Sequence, residues 1–408
     1  MSINKVTEGI YKISANIEEM LFEGIWEMPN GVNLNSYIVK GEKTAIIDGV
    51  CNWDGVPETL FKLLDQMDVD INTLDYVVIN HMEPDHSGWI EQLKVIRPDI
   101  EIYCSIAASR LIEAFYGKVN HIKVVKDGDI LDLGGRKLQF ISTPNVHWPD
   151  TIMTLDTLTQ TLFTCDMFGS FGIIEPNKGF DDELTDIEIE AFVDDTLRYY
   201  SNILANFSNF VLRAINKINQ LNPKIIAPGH GIVWRKNPKR IISHYETLAN
   251  YQTGVAKREI TILWSSMYGM TEKAVRYIES SLKEMNITVN SHQIMENSWG
   301  TMLASVWKSS GIILAMPTYE FKMFPPMAGL IEELHNKSYN HRVVFRLGSY
   351  GWTGGAEKEL KEILAKHKSS WDLLESVEFK GAPIQEDFDL IHNRLKEMVE
   401  KIDQKLKK

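Results

Sequence analysis

The chain is expected to be an α/β protein of two domains. The first is an αββα sandwich over residues 1–254, and the second a doubly wound parallel sheet of strand order 2-1-3-4-5 over residues 255–408. Three observations carry this expectation. At 408 residues the chain is longer than one core usually organises. Before residue 254 strand-like runs follow one another closely, whereas after it apolar strands and amphipathic helices alternate. In both halves short apolar runs end in polar or glycine-rich loops, where α/β folds place ligands.

In the first half, residues 34–39 and 44–49 read as the two strands of a hairpin, and residues 57–67 as a helix. The run Tyr76-Val77-Val78-Ile79 lies in an expected strand at 74–80, followed by a helical turn at 90–95 and a strand at 100–104. A second group of strands is expected at 137–142, 151–155 and 161–164. Residues 188–219 carry helical periodicity with a break near Phe207-Ser208-Asn209, and residues 225–231 return to a strand that ends in a tight turn. Two groups of strands with helices outside them predict the sandwich. The pattern changes at Gln252-Thr253-Gly254. Strands are then expected at 259–264, 287–293, 311–316, 342–347 and 373–379. Helices are expected from 271 and near 302–308, 327–335, 356–367 and 386–405. That alternation predicts a parallel sheet covered on both faces.

Acidic residues outnumber basic ones 55 to 43, for a net charge of -12, which argues against a nucleic-acid partner. The start, Met1-Ser2-Ile3-Asn4-Lys5, lacks the apolar core of a signal peptide, and no run reaches membrane-spanning length, so a cytoplasmic location and no membrane partner are expected. The cysteines, Cys51, Cys104 and Cys165, are far apart and form no Cys-x-x-Cys. This argues against a disulfide framework, a rubredoxin-type iron site or an iron–sulfur cluster in this chain.

The run His81-Met82-Glu83-Pro84-Asp85-His86 follows the apolar strand at 74–80 and holds four groups able to bind a metal. It is nearly the His-x-His-x-Asp-His of a binuclear zinc hydrolase, with Glu83 in place of the second histidine. A carboxylate there makes the site harder and more anionic, which suits iron or manganese and moves the chemistry from hydrolysis toward redox. His147, Asp166 and His230 each follow an expected strand, so the fold can bring them to the same edge. Singly, His230 in Pro-Gly-His-Gly reads as a turn residue and Asp166 as a turn or cap. With the first run they give four imidazoles and three carboxylates, enough for two metals with Asp166 as a bridge.

In the second half, Ser265-Ser266-Met267-Tyr268-Gly269-Met270-Thr271 opens a helix after a strand. Hydroxyls and helix N-terminal N–H groups bind anions, and no Lys or Arg lies in the run, so a singly esterified phosphate such as that of flavin mononucleotide (FMN) fits better than a triphosphate. The spacing is neither a P-loop nor Gly-x-Gly-x-x-Gly. Two further strand-end loops, Met316-Pro317-Thr318-Tyr319-Glu320 and Gly348-Ser349-Tyr350-Gly351-Trp352-Thr353-Gly354-Gly355, offer aromatic side chains to flank a flat ring and glycines that admit close backbone approach.

The ligand motifs in this order, followed by these loops, make the whole chain resemble the flavodiiron proteins, in which a metallo-β-lactamase-like domain precedes a flavodoxin-like domain. The resemblance implies two non-haem irons and FMN. His81, Glu83 and His147 match the ligands of one iron, Asp85, His86 and His230 those of the other, and Asp166 the bridging carboxylate. In some members the residue matching His86 is displaced from the metal. The chain stops after the flavodoxin-like domain, as in the family's simplest class. The implied activity is reduction of dioxygen to water, of nitric oxide to nitrous oxide, or both, with electrons passing from a donor to FMN and then to the irons. Two ferrous ions and one reduced flavin together supply the four electrons that dioxygen requires. The implied assembly is a head-to-tail homodimer or a dimer of dimers, with Trp148 and Trp352 placed near the junction. Rubredoxin is the first expected donor, because Gly24-Ile25-Trp26-Glu27-Met28-Pro29-Asn30-Gly31 resembles rubredoxin-linked members; a reduced deazaflavin coenzyme is the second. Two competing classes are a zinc hydrolase with a flavodoxin-like appendage and an electron-transfer flavoprotein with a vestigial metal fold. Glu83 weighs against the first and the full ligand set against the second.

Overall fold

A computed structural model of the chain describes residues 2–51, 58–67 and 69–407. The chain divides into two compact units, Met1–Glu246 and Thr247–Lys408, and the helix Pro238–Asn250 runs across the division.

The first unit is an αββα sandwich. One sheet has seven strands, in the order Ser2–Thr7, Ile10–Ile17, Val32–Lys40, Thr44–Ile47, Tyr76–Ile79, Glu101–Cys104 and Ile122–Val124. The other has five, Ile130–Asp132, Lys137–Ser142, Ile152–Asp156, Thr161–Cys165 and Ile225–Pro228. Alternate residues of the two inner faces, among them Tyr37, Ile47 and Val78 from the first and Leu138, Phe140 and Phe163 from the second, form one buried cluster. The rings of Tyr37 and Phe163 meet across it with centroids 5.0 Å apart. Ile38, Ile46 and Val77, on the other face of the seven-stranded sheet, are also fully buried, so helices cover it outside. Those helices include Glu58–Gln66, whose expected first residue, Pro57, lies outside the described residues.

The expected hairpin is Val32–Lys40 paired with Thr44–Ile47, in the register Tyr37↔Ile47. The sequence reading assigned no element to residues 2–17, where the structure has an antiparallel pair turning at Gly9. Gly9 has φ +70°, and a Cβ there would stand 2.9 Å from the Lys40 carbonyl oxygen. The long helix also breaks earlier than expected. An α-helix, Asp186–Tyr199, opens on a capping box between Thr185 and Glu188. It widens into a π turn at Tyr200–Leu204 and a 3₁₀ turn at Ala205–Phe207 before a new helix, Ser208–Leu221. No proline or glycine marks the break. It is held by buried side chains, as in the 2.8 Å hydrogen bond between the Tyr200 and Ser208 hydroxyls.

One buried charge gives the first unit a pH signature. Lys12 is fully buried, with Nζ 3.4 Å from the Gly179 carbonyl oxygen and 5.4 Å from the centre of the Phe180 ring. Burial lowers its pKa from 10.5 to about 7, with Glu183 opposing and Arg235 adding to the shift. Between those values the unfolded chain binds the extra proton, so stability should rise with pH across that window, by up to about 4 kcal/mol. Urea midpoints of the first unit at pH 7 and 9.5 should show the rise. The variant Lys12→Met should flatten it and be the more stable protein at pH 7; an unchanged slope would remove Lys12 as its source.

The second unit is a parallel sheet in the order Thr288–Gln293, Lys257–Trp264, Ser309–Ala315, Val343–Tyr350 and then the fifth position, which is the expected 2-1-3-4-5. The fifth strand, expected as one run, is two pieces, Asp372–Leu373 and Val377–Lys380. Both pair with Val343–Tyr350, through Val344↔Leu373 and Leu347↔Val377, so one extra residue bulges out between them. The helices Met270–Glu284 and Gln385–Leu406 close one face, with Ile278, Leu282, Leu395 and Met398 in the core. No helix among the described residues is long and apolar enough to cross a membrane.

Candidate metal and flavin sites

The fold brings all seven expected ligands to one edge of the sandwich. The strand Tyr76–Ile79 delivers His81 and Glu83, and the short helix Pro84–Ser87, started by its proline, carries Asp85 and His86. His147 lies on the loop after Lys137–Ser142. Asp166 and His230 emerge side by side, because Thr161–Cys165 and Ile225–Pro228 are paired parallel neighbours. Gly229, between strand and ligand, has no room for a side chain: a Cβ would lie 2.9 Å from His86 Cε1. Asparagines tie the two sheets at this edge. The Asn35 amide donates to the carbonyls of Pro228 and Gly231, at 3.1 and 2.8 Å, and the Asn80 amide donates to that of Phe163 at 3.4 Å.

All seven side chains are buried, and His81, His86, Asp166 and His230 are completely so. They fall into two groups that share Asp166. On one side, Asp166 Oδ2 lies 3.2 Å from His81 Nε2 and 3.1 Å from His147 Nε2, with Glu83 Oε2 at 3.6 and 3.2 Å from the same two nitrogens. On the other, Asp166 Oδ1 lies 3.0 Å from His86 Nε2 and 3.2 Å from His230 Nε2, with Asp85 Oδ2 at 3.5 Å from each. Donors bound to one ion at about 2.0–2.2 Å stand roughly 3–3.6 Å apart, so each group has the dimensions of a coordination shell. His81 Nε2, both Asp85 oxygens, Asp166 Oδ2 and His230 Nε2 have no hydrogen-bond partner, a costly state in a buried site that a cation in each group would relieve.

The electrostatics point the same way. Burial works against charge on His86 and His147, yet Asp85 and Asp166 lift the first to about 10, while Asp166 and Glu83 lift the second to about 9. Burial would raise Glu83, but the imidazoles of His147 and His81 beside it hold it at about 2. Asp166 stays well below the carboxylate range despite its burial, because His81 and His86 face it. The carboxylates thus set a field that draws cations in. The seven expected donors, four imidazole nitrogens and three carboxylates, suit iron or manganese; the buried Cys165 thiol also stands beside His86 and Asp166, with Sγ 3.9 Å from Asp166 Oδ1.

Four residues around the cluster escaped the sequence reading. Asp150 Oδ2 is 3.0 Å from His81 Nδ1, and the Asn33 carbonyl oxygen is 3.2 Å from His230 Nδ1. The rings of Phe22 and Tyr199 pack at 5.5 and 5.6 Å from that of His230 and make an aromatic wall. Asp150 lies three residues past His147 and was open to notice, whereas Phe22 and Tyr199 arrive from distant elements that no local pattern connects to the site.

In the second unit, the three expected loops meet around a cavity of about 370 Å³. Met267, Tyr268, Met270, Pro317, Thr318, Tyr319, Ser349, Tyr350, Gly351 and Trp352 line it, with Glu320 and Thr353 of the same loops, joined by Phe321 and Gly381, which the sequence reading did not name. Tyr268, Phe321 and Trp352 are 85, 62 and 79% exposed, aromatic faces at the rim without a packing role in the unit. Gly269, with φ +82°, turns the chain into the helix Met270–Glu284, and its N–H is held by Ser266 Oγ at 3.0 Å. Thr271 Oγ1 and Ser349 Oγ join two of the loops at 3.1 Å. The hydroxyls of Ser265 and Thr318 are buried without a hydrogen-bond partner, which fits a polar ligand bound against them. Four of the expected flavin-loop residues have other work. The close approaches at Gly348 and Gly355 are to protein backbone, where a Cβ would stand 1.7 Å from the Met316 carbonyl oxygen and 1.9 Å from that of Phe321. Gly354 faces Glu378, and Ser266 acts through the turn.

A β-lactamase-fold unit with a two-centre donor cluster, followed by a flavodoxin-like unit with a strand-end cavity, defines the class of protein. The family model described as ODP family beta lactamase matches residues 32–231. An anaerobic nitric oxide reductase flavorubredoxin from Vibrio vulnificus is 36% identical over 341 residues, 81% of this chain and 66% of the relative. The chain thus spans just under two thirds of that protein. A nitric oxide reductase from Moorella thermoacetica is 31% identical over 370 residues, 89% of this chain and 90% of the relative. A flavo di-iron protein from Thermotoga maritima has a TM-score of 0.88 at 29% identity, covering 98% of each chain. The rubredoxin oxygen:oxidoreductase of Desulfovibrio gigas shares the fold, with a TM-score of 0.91 at 24% identity. The chain belongs to the flavodiiron protein family.

Proposed function

We propose that this protein is an oxidoreductase that reduces nitric oxide to nitrous oxide at a di-iron centre fed by FMN. The observation that carries the reading is Asp166, whose two oxygens each face a separate, buried group of imidazoles and a carboxylate. His81, Glu83 and His147 would hold one iron, and Asp85, His86 and His230 the other. Two irons so held would supply paired one-electron reduction of a small molecule, with the flavin as the source of electrons. The residues do the rest. Asp166 would be shared between the two ions, and Phe22, Tyr199 and Phe171 close the His230 side with packed rings. The names of the Vibrio and Moorella relatives support nitric oxide as substrate, and the Vibrio relative's name, flavorubredoxin, supports a rubredoxin as donor. In the second unit, Thr271, Ser265 and the N-terminus of the helix Met270–Glu284 would hold the FMN phosphate, and the aromatic rim would flank the ring. The proposed assembly is a head-to-tail homodimer.

The test is metal and flavin content of protein purified without air, followed by consumption of nitric oxide and of dioxygen with reduced rubredoxin. About two irons and one FMN per chain are expected, with nitric oxide the faster substrate. Faster dioxygen consumption would reassign the gas, a reduced deazaflavin coenzyme outperforming rubredoxin would reassign the donor, and zinc without flavin would return the chain to the hydrolases. In the double variant Gly269→Val/Thr271→Ala, flavin should be lost and iron retained; normal flavin content would refute the phosphate loop.

A further inference from the structure

The two donor groups match in their seven expected ligands, each having two imidazoles, one carboxylate of its own and one oxygen of Asp166. What stands behind the imidazoles differs. The geometry points to Asp150 as a positioning residue that makes the two metal sites unequal: the ion beside His81 is the tightly held one, and the ion beside His86 is the exchangeable one. This inference rests on the two-metal reading above.

Asp150 is fully buried, and its Oδ2 lies 3.0 Å from His81 Nδ1 while accepting from the Met82 N–H at 2.8 Å. An oxygen that already accepts from a backbone N–H accepts from the imidazole too, so the ring hydrogen sits on Nδ1. That leaves the Nε2 lone pair directed at the Glu83 and Asp166 oxygens, 3.6 and 3.2 Å away. It also places an anion against the ring, which makes His81 a stronger donor. The other group has no equivalent. His230 is backed by a neutral carbonyl, that of Asn33, at 3.2 Å, and His86 Nδ1 has no hydrogen-bond partner. Asp48, the buried carboxylate whose charge reaches His86, turns Oδ1 to the Asn80 N–H at 2.7 Å. A carboxylate behind a metal-bound histidine is worth roughly 10–100-fold in metal affinity, so one ion should outlast the other by about that factor.

The experiment is timed removal of metal from the full, anaerobically purified chain by a chelator, counted by elemental analysis. Two phases of about one ion each are expected, the slow one roughly 10–100-fold slower. The variant Asp150→Asn keeps the size of the side chain but loses its charge; it should speed the slow phase by that factor and leave the fast phase alone. A general packing defect would speed both. Anomalous scattering from crystals of half-depleted wild-type protein gives a second readout that needs no variant, with the remaining ion expected beside His81. A single phase in the wild type, a remaining ion beside His86, or an unmoved slow phase in a folded Asp150→Asn would each overturn the inference. Protein that never carries two metals would instead overturn the two-metal reading.

Discussion

Asp166→Ala is expected to lose both metals together while keeping its flavin. Each donor group takes one oxygen of this carboxylate, at 3.0–3.2 Å from its imidazoles, so the substitution opens both groups in one step. It also removes one of the negative charges that His81 and His86 face, leaving the four buried imidazoles with Glu83, Asp85 and the outlying carboxylates Asp150 and Asp48 for compensation. Loss of a shared inner ligand should weaken each site by at least the roughly 100-fold that a mere supporting partner contributes. Gas consumption should fall with the metal. Elemental analysis beside flavin absorbance separates the outcomes: one ion retained at full occupancy would mean that Asp166 serves a single group. The contrast is Glu83→Ala, which should deplete only the group with His81 and His147.

The second large effect is expected at Gly348→Ala. Gly348 sits in the strand Val343–Tyr350 opposite the end of Ser309–Ala315, where the Met316 N–H bonds to the Leu347 carbonyl at 3.0 Å. A methyl group there would meet the Met316 carbonyl oxygen at 1.7 Å, and because the obstacle is backbone, no rotamer relieves it. The two strands must part at the ends that carry Thr318 and Ser349. The cost of such crowding is about 1–3 kcal/mol, which for a unit of this size lowers the melting temperature by roughly 3–10 °C. Flavin should be lost with it, and metal content in the first unit should not change. A wild-type melting temperature with flavin retained would show that the strand ends have room to move.

The seven residues of the candidate metal cluster were legible because each follows a short apolar run, and residues that leave strands on one side of a sheet share an edge. The run at 81–86 announced chemistry unaided, since acids and imidazoles so crowded behind Tyr76–Ile79 have few structural uses. Chain order and strand pairing, which bring Asp166 beside His230, are properties of the sheet and cannot be seen in either segment. The 2-1-3-4-5 sheet was legible from alternation alone, yet the bulge between Leu373 and Val377 was not, because one extra residue leaves the apolar pattern intact. The pair of strands at 2–17 was missed for a related reason: polar residues such as Asn4, Lys5 and Lys12 interrupt their apolar pattern, though Lys12 itself is buried. At Gly348 and Gly355 the need for glycine was legible, and its cause, a neighbouring carbonyl, belongs to tertiary contact.

The sharing of Asp166 also has a consequence for the order in which the centre is born. A ribosome releases His81, Glu83, His147 and Asp166 before His230, so the group beside His81 has all its donors while the other still lacks one. At roughly 5–20 residues per second, the stretch from Asp166 to His230 takes on the order of 3–13 s to emerge. A nascent chain in the presence of iron would therefore become a mononuclear protein first. Its dinuclear centre would date from the arrival of the strand Ile225–Pro228, which carries His230 to the edge of the sheet.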